Sequence, residues 1–107
     1  MKTAITSTGD NSEAKLDNRF GRCNYFVIYD SEAKSVEYIP NPYADAEEGA
    51  GSESVKLLAS RNVSRIISGE FGLKIKPLLD SLKIQMIVLK DSEKKISEII
   101  ALMIRQP

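Results

Sequence analysis

Val63-Ser64-Arg65-Ile66-Ile67-Ser68, then Gly69-Glu70-Phe71-Gly72, then Ile75, Leu78, Leu79 and Leu82, then Ile84-Gln85-Met86-Ile87-Val88-Leu89: this stretch decides the fold. The first run is short, apolar and β-branched, which reads as a strand. The glycine-flanked tetrapeptide reads as a tight turn. The four apolar residues after it follow the i, i+3, i+4, i+7 spacing of one helix face. A second apolar strand closes the unit. Two strands joined by a helix are parallel and cross over right-handedly. Pro77 lies inside the helical pattern. Proline is tolerated in a first turn and kinks a helix deeper in, so the helix is expected to begin close to Pro77.

Working outward, the pattern repeats on both sides. Ser52 to Arg61 reads as a helix with Val55, Leu58 and Ala59 on one face, and Asn62 as its left-handed C-cap. Downstream, Asp91 or Ser92 caps a last helix whose Ile96, Ile99, Ile100 and Met103 share a face. Upstream the grammar changes. Lys2 to Ser7 alternates and meets the turn signal Thr8-Gly9-Asp10-Asn11. Ser12 to Arg22 is polar and aperiodic, a long loop. Asn24 to Asp30 is a continuous run of aromatic and β-branched residues, as in a buried strand. Ser31-Glu32-Ala33-Lys34 is a turn, and Ser35 to Pro40 completes a hairpin. Asn41-Pro42 stops that strand, and Tyr43 to Gly51 is a small-residue, acidic loop. The order β, β, β, α, β, α, β, α predicts an α/β domain spanning 1–107. Its mixed five-stranded sheet has strand order 3-2-1-4-5, strand 2 antiparallel, and helices on its faces.

Composition narrows the function. Fifteen basic and fifteen acidic residues cancel, which argues against an electrostatic hold on nucleic acid or an anionic membrane. No apolar run approaches a membrane span. The chain opens into a strand pattern and not a signal peptide, so the expected location is the cytoplasm. There is one cysteine and no histidine. That removes the usual general base, most hydrolytic triads and a closed four-ligand zinc site within one chain.

In a sheet of this order the carboxyl ends of the parallel strands form one edge, where ligands bind at the switch point. Several features are expected to meet there: the loop with Arg19-Phe20-Gly21-Arg22-Cys23, the Gly49-Ala50-Gly51 turn before one helix, and the Gly69 to Gly72 turn before another. Helix N-termini and free N–H groups favour anions, and arginines add bidentate donors. In that field the Cys23 thiol is expected at the rim with a lowered pKa, hence as thiolate, the form that ligates metal. Each feature has a structural alternative. Cys23 is either a ligand or a structural thiol. Arg19 and Arg22 either bind a ligand or pair with Asp17, Asp30 or Glu70. The glycines either open a turn or expose amides to an anion. Tyr25, Phe26 and Tyr29 read as packing, and Asp45, Glu47 and Glu48 as a solvated loop.

The ordered set resembles the dinitrogenase iron–molybdenum cofactor biosynthesis family, the NifX-like proteins and the C-terminal domain of NifB-like proteins. It comprises the Gly9-Asp10 turn, Arg19-Phe20-Gly21-Arg22 before Tyr25-Phe26-Val27-Ile28, Asn41-Pro42, the Gly49-Ala50-Gly51 helix start, and Gly69-Glu70-Phe71-Gly72. This chain carries Arg19 where many members carry His, and Leu73 where proline commonly follows the second glycine turn. The resemblance implies a ribonuclease-H-like three-layer fold. It further implies a non-catalytic protein that binds or transfers an iron–sulfur or iron–molybdenum-type cluster precursor. Arg19, Arg22, Cys23, Gly49, Gly51, Gly69 and Gly72 would form its cofactor site, with Cys23 the metal ligand. The implied partners are the anionic cluster or a small anion, and cofactor-assembly proteins; a monomer or weak homodimer is expected. A regulatory or interaction module binding a small anion or nucleotide at the glycine-turn edge is the alternative. Nuclease chemistry is disfavoured: it needs converging carboxylates, and neither Lys2 to Ser7 nor Val63 to Ser68 carries one.

Overall fold

The five runs read as strands enter one sheet. The computed structural model describes residues 1–105. Its elements are β1 (Lys2–Ser7), β2 (Tyr25–Asp30), β3 (Ser35–Pro40), α1 (Ala50–Ser60), β4 (Val63–Ser68), α2 (Lys76–Ser81), β5 (Gln85–Val88) and α3 (Ile96–Arg105). The strand order is β3-β2-β1-β4-β5, as the sequence predicts. β2 runs antiparallel to β1 and β3, while β1–β4 and β4–β5 are parallel.

Register splits the core in two. Ala4 pairs with Ile28 and Ile66, and Ile5 with Val27 and Ile67. Successive side chains of a strand point to opposite faces. Ala4, Phe26, Ile28 and Ile66 therefore pack with Val55 and Leu58 of α1 and Leu79 of α2. Ile5, Val27 and Ile67 pack on the other face with Leu16 and with Ile96 and Ile99 of α3. Two helices cover one face and one helix the other.

The boundaries differ from expectation where capping was not legible. α1 starts at Ala50 and not Ser52, because Gly49 takes a left-handed conformation (φ 73°) and serves as N-cap. α2 has only six residues, with Pro77 in its first turn as expected. It stops at Ser81 because Lys83 turns left-handed (φ 58°), with Leu82 N–H donating to Leu78 O and Ile84 N–H to Leu79 O. Ile75 and Leu79 are thus buried, but Leu82 swings out and is 43% exposed. α3 begins at Ile96, several residues past Asp91 and Ser92. Asp91 instead accepts from Glu93 N–H in a local turn. The α3 N-terminus is capped by the long loop, Ile96 N–H donating to Ala14 O and Ser97 N–H to Ser12 O, while Glu98 Oε1 accepts from Lys95 N–H at 3.0 Å.

That loop forms a strap across the carboxyl edge of the sheet. Its isolated bridges Ser7–Leu16, Lys15–Lys95 and Arg19–Glu70 fasten it at three points. Leu16 is buried in the α3-side core and Phe20 in the α1-side core, so the strap passes from one face to the other over the ends of β1 and β4. No helix among the described residues is long and apolar enough to cross a membrane.

Candidate functional site

The strap leaves a cleft of about 530 Å³ at the carboxyl edge, on the α1 side. One wall is the start of α1, Gly49 to Ser52; the other is the lead-in to α2, Gly72 to Ile75; Phe20 and Arg22 lie between them. No side chain caps the start of α1. The first N–H groups of a helix have no partner within it, so these donors and the positive end of the helix dipole meet at the cleft. Ser52 Oγ donates to Gly49 O at 3.2 Å.

Close backbone approach builds this wall. Gly21 is left-handed (φ +90°), and a Cβ there would lie 2.9 Å from Gly51 Cα. A Cβ on Gly51 would in turn lie 3.0 Å from Ile75 Cγ2. Three chain segments converge at Gly51: the strap reaches it because Gly21 has no side chain, and a Cβ at Gly51 would require Ile75 to give way. Asn41 locks the junction from beneath, its Nδ2 donating to Gly21 O and to Cys23 O, both at 2.9 Å.

Arg22 is half-buried. Its Nη1 donates to Ala44 O at 3.4 Å and to Ala46 O, so the guanidinium both borders the cleft and ties down the acidic loop. Asp45, Glu47 and Glu48 are exposed on that loop. Across the cleft Lys74 is exposed, and Leu73 beside it is 95% exposed.

Cys23 is not at the rim. It is fully buried, within the core cluster that includes Phe20 and Phe26. The thiol pKa is pushed up to about 12, foremost by loss of solvent and secondarily by the Asp17 charge; backbone N–H groups of Ser7, Cys23 and Gly21 oppose the shift without reversing it. The expected thiolate is therefore corrected to a neutral thiol, buried in the same core cluster as Phe20, three residues earlier in the motif. Nor do all the expected residues meet. Arg22, Gly49, Gly51 and Gly72 line the cleft. Arg19 borders a separate groove of about 500 Å³ with Lys15, Asp17, Asn18 and Glu70. It is engaged there by Asp17, whose Oδ1 lies 3.3 Å from Arg19 Nε, and this carboxylate raises the guanidinium pKa. Gly69 is a packing glycine: a Cβ there would lie 2.6 Å from Asn18 Cα, where Glu70 N–H donates to Asn18 O at 2.8 Å. Gly69 to Gly72 does not open a helix directly either, since α2 starts at Lys76.

Sequence reasoning missed Lys74, Ser52 and Gly21. Lys74 had a signal in its place two residues after Gly72. Gly21 had one in its place between Phe20 and Arg22, where an anchored loop must turn sharply. Among the described residues no group of three or more Cys, Asp or Glu side chains is gathered to hold a metal ion.

The model of the family described as dinitrogenase iron-molybdenum cofactor matches residues 1–106. The chain belongs to this family. Similar solved structures include a candidate NifB protein from Thermotoga, 29% identical, with a TM-score of 0.80, covering 95% of this chain and 85% of that one. A candidate dinitrogenase from Methanocaldococcus jannaschii is 26% identical with a TM-score of 0.60, covering 94% and 88%. The apo form of the orange protein from Desulfovibrio gigas, 23% identical, shares the fold with a TM-score of 0.87 over 96% and 86%. No curated protein matches the chain.

Proposed function

We propose that this protein binds or passes on an anionic iron–sulfur or iron–molybdenum-type cofactor precursor in the α1 cleft, without catalysing a reaction on it. The observation that carries the reading is the uncapped start of α1 facing two cations, Arg22 and Lys74, across one cleft. The amides and dipole favour negative charge. Arg22 offers a planar fork of donors and Lys74 a mobile point charge. Gly49, Gly51 and Gly72 keep side chains out of the way, while Arg19 and Gly69 support the site through the strap. The precursor is cargo and brings most of its own ligands, since the chain has one cysteine to give. Cys23 is that ligand only if the strap lifts. Cofactor-assembly proteins are the partners this role requires, and the sheet order suits the ribonuclease-H-like class that the resemblance implies.

The test is protein purified without oxygen, read by absorption spectrum and iron content before and after anaerobic reconstitution. Arg22→Ala should weaken retention of the cluster by about 1.5–3 kcal/mol, the value of a hydrogen bond to a charged group. Lys74→Ala leaves the 44–46 carbonyl contacts intact and should weaken it as well. The reading fails if the unmodified protein takes up no iron, or if neither substitution changes uptake.

The burial of Cys23 favours a second reading, a regulatory or interaction module that takes a small anion or nucleotide in the same cleft. Cys23→Ser separates the two: loss of iron retention supports a cluster held through sulfur, whereas oxyanion or nucleotide binding should be untouched.

A further inference from the structure

α3 is apolar at every position except Ser97, Glu98 and Arg105. Its inner side belongs to the core, where Ile96 and Ile99 are buried and Ile100 and Met103 pack against the same cluster. On its outer side Leu102 is 44% exposed, and Ile104, two positions on and so turned to another flank, is 64% exposed. The outer side mixes charge with apolar surface, Glu98 and Arg105 flanking Ala101 and Leu102. Lys94, Glu98, Ala101, Leu102 and Arg105 line a shallow depression of about 260 Å³ on this outer side.

The stripe Glu98, Ala101, Leu102, Arg105 is self-complementary. Its midpoint falls between Ala101 and Leu102. A two-fold axis there sets a second α3 antiparallel to the first. Glu98 then faces Arg105 of the second copy, Arg105 faces its Glu98, and Ala101 makes room for its Leu102. An isologous pairing requires each contact to occur twice in this way, and helices pack closely where a small residue meets a large one. Both charges are available. Neither Glu98 nor Arg105 forms a salt bridge among the described residues. Glu98 uses only Oε1 to cap Lys95 N–H, and the neighbouring Lys95 ammonium is held by Glu13 at 2.8 Å. We propose that the outer face of α3 is the interface of a two-fold symmetric homodimer, its occupant the same helix of a second copy of this chain. The interface lies on the α3 face of the sheet, opposite the one that α1 covers, and leaves the cleft open.

Sedimentation of the full chain over a wide range of concentration, up to millimolar, tests this. The unmodified protein should show a reversible monomer–dimer equilibrium, and Leu102→Asp should be monomeric with an unchanged far-UV spectrum. Glu98→Gln keeps the capping oxygen and removes both symmetric charge pairs, so it should weaken association by roughly 2- to 30-fold at ordinary surface-pair strength. Glu98→Arg and Arg105→Glu should each be monomeric alone, and an equimolar mixture should form a heterodimer, since every pairing across it is again of opposite charge. A monomeric unmodified protein at all concentrations, a dimer indifferent to Leu102→Asp, or two folded charge variants that do not associate when mixed would overturn the proposal.

Discussion

Gly21→Ala tests whether the strap is pressed onto α1 as closely as the cleft requires. The new Cβ would lie 2.9 Å from Gly51 Cα, 3.0 Å from Gly51 N and 3.2 Å from the Ala50 carbonyl carbon. All three are backbone atoms, so no side chain can rotate away. The residue also sits at φ +90°, where an L-residue with a Cβ costs roughly 1–2 kcal/mol. Overpacking typically adds about 1–3 kcal/mol. The two together give a loss of about 2–5 kcal/mol, a large share of the roughly 5–15 kcal/mol that holds a domain. Relief would require the strap to part from α1, which the two Asn41 hydrogen bonds to Gly21 O and Cys23 O resist. Urea unfolding should show a lower midpoint at constant slope, and anion binding in the cleft should weaken in parallel. Gly72→Ala is the control, since a Cβ there meets nothing within 4 Å; it should stay within about 0.5 kcal/mol of the parent. Equal effects of the two substitutions would refute the packing argument.

Other expectations follow from burial. Cys23 should react with a disulfide reagent only as fast as the strap opens or the chain unfolds, and fast labelling of native protein would contradict its placement. Its folded pKa of about 12 exceeds the ordinary 9.0, so above pH 9 the unfolded chain loses the thiol proton and the folded one keeps it. The thiol's contribution is therefore complete below pH 9 and lost as pH rises toward 12, by at most about 4 kcal/mol at 1.36 kcal/mol per unit. Comparing the alkaline slope of stability with that of Cys23→Ala isolates it, and identical slopes would count against it. Leu79→Ala should cost about 2–5 kcal/mol as a core truncation, while Leu82→Ala should cost well under that. Similar losses in urea would mean that Leu82 packs inward after all.

The sheet was legible because its information is local and redundant. Six-residue runs such as Tyr25–Asp30 and Val63–Ser68 carry their own period, and the glycine and Asn-Pro signals between them leave few topologies. The helix ends were less legible because tertiary partners set them. Asp91 and Ser92 are good caps by composition, yet α3 takes its cap from Ser12 and Ala14, more than eighty positions away. Leu82 fits the helical period, yet one left-handed residue at Lys83 takes it out of the helix. Local pattern does not encode either outcome.

The site was harder to read because its hidden element looks like an ordinary polar loop. Between Ser12 and Arg22 only Ala14, Leu16 and Phe20 are apolar, too few to show a period. Yet Leu16 and Phe20 enter different cores, and two anchors four residues apart on opposite faces force the chain over the sheet edge between them. That crossing has three consequences. It fills the switch point between β1 and β4, where a ligand would otherwise sit. It covers Cys23, which turns a rim thiolate into a buried neutral thiol. And it divides the arginines, leaving Arg19 with Asp17 on one side and Arg22 beside the open start of α1 on the other. The cleft is what remains of the sheet edge once the strap is in place, and Cys23, fully buried, is not part of its lining.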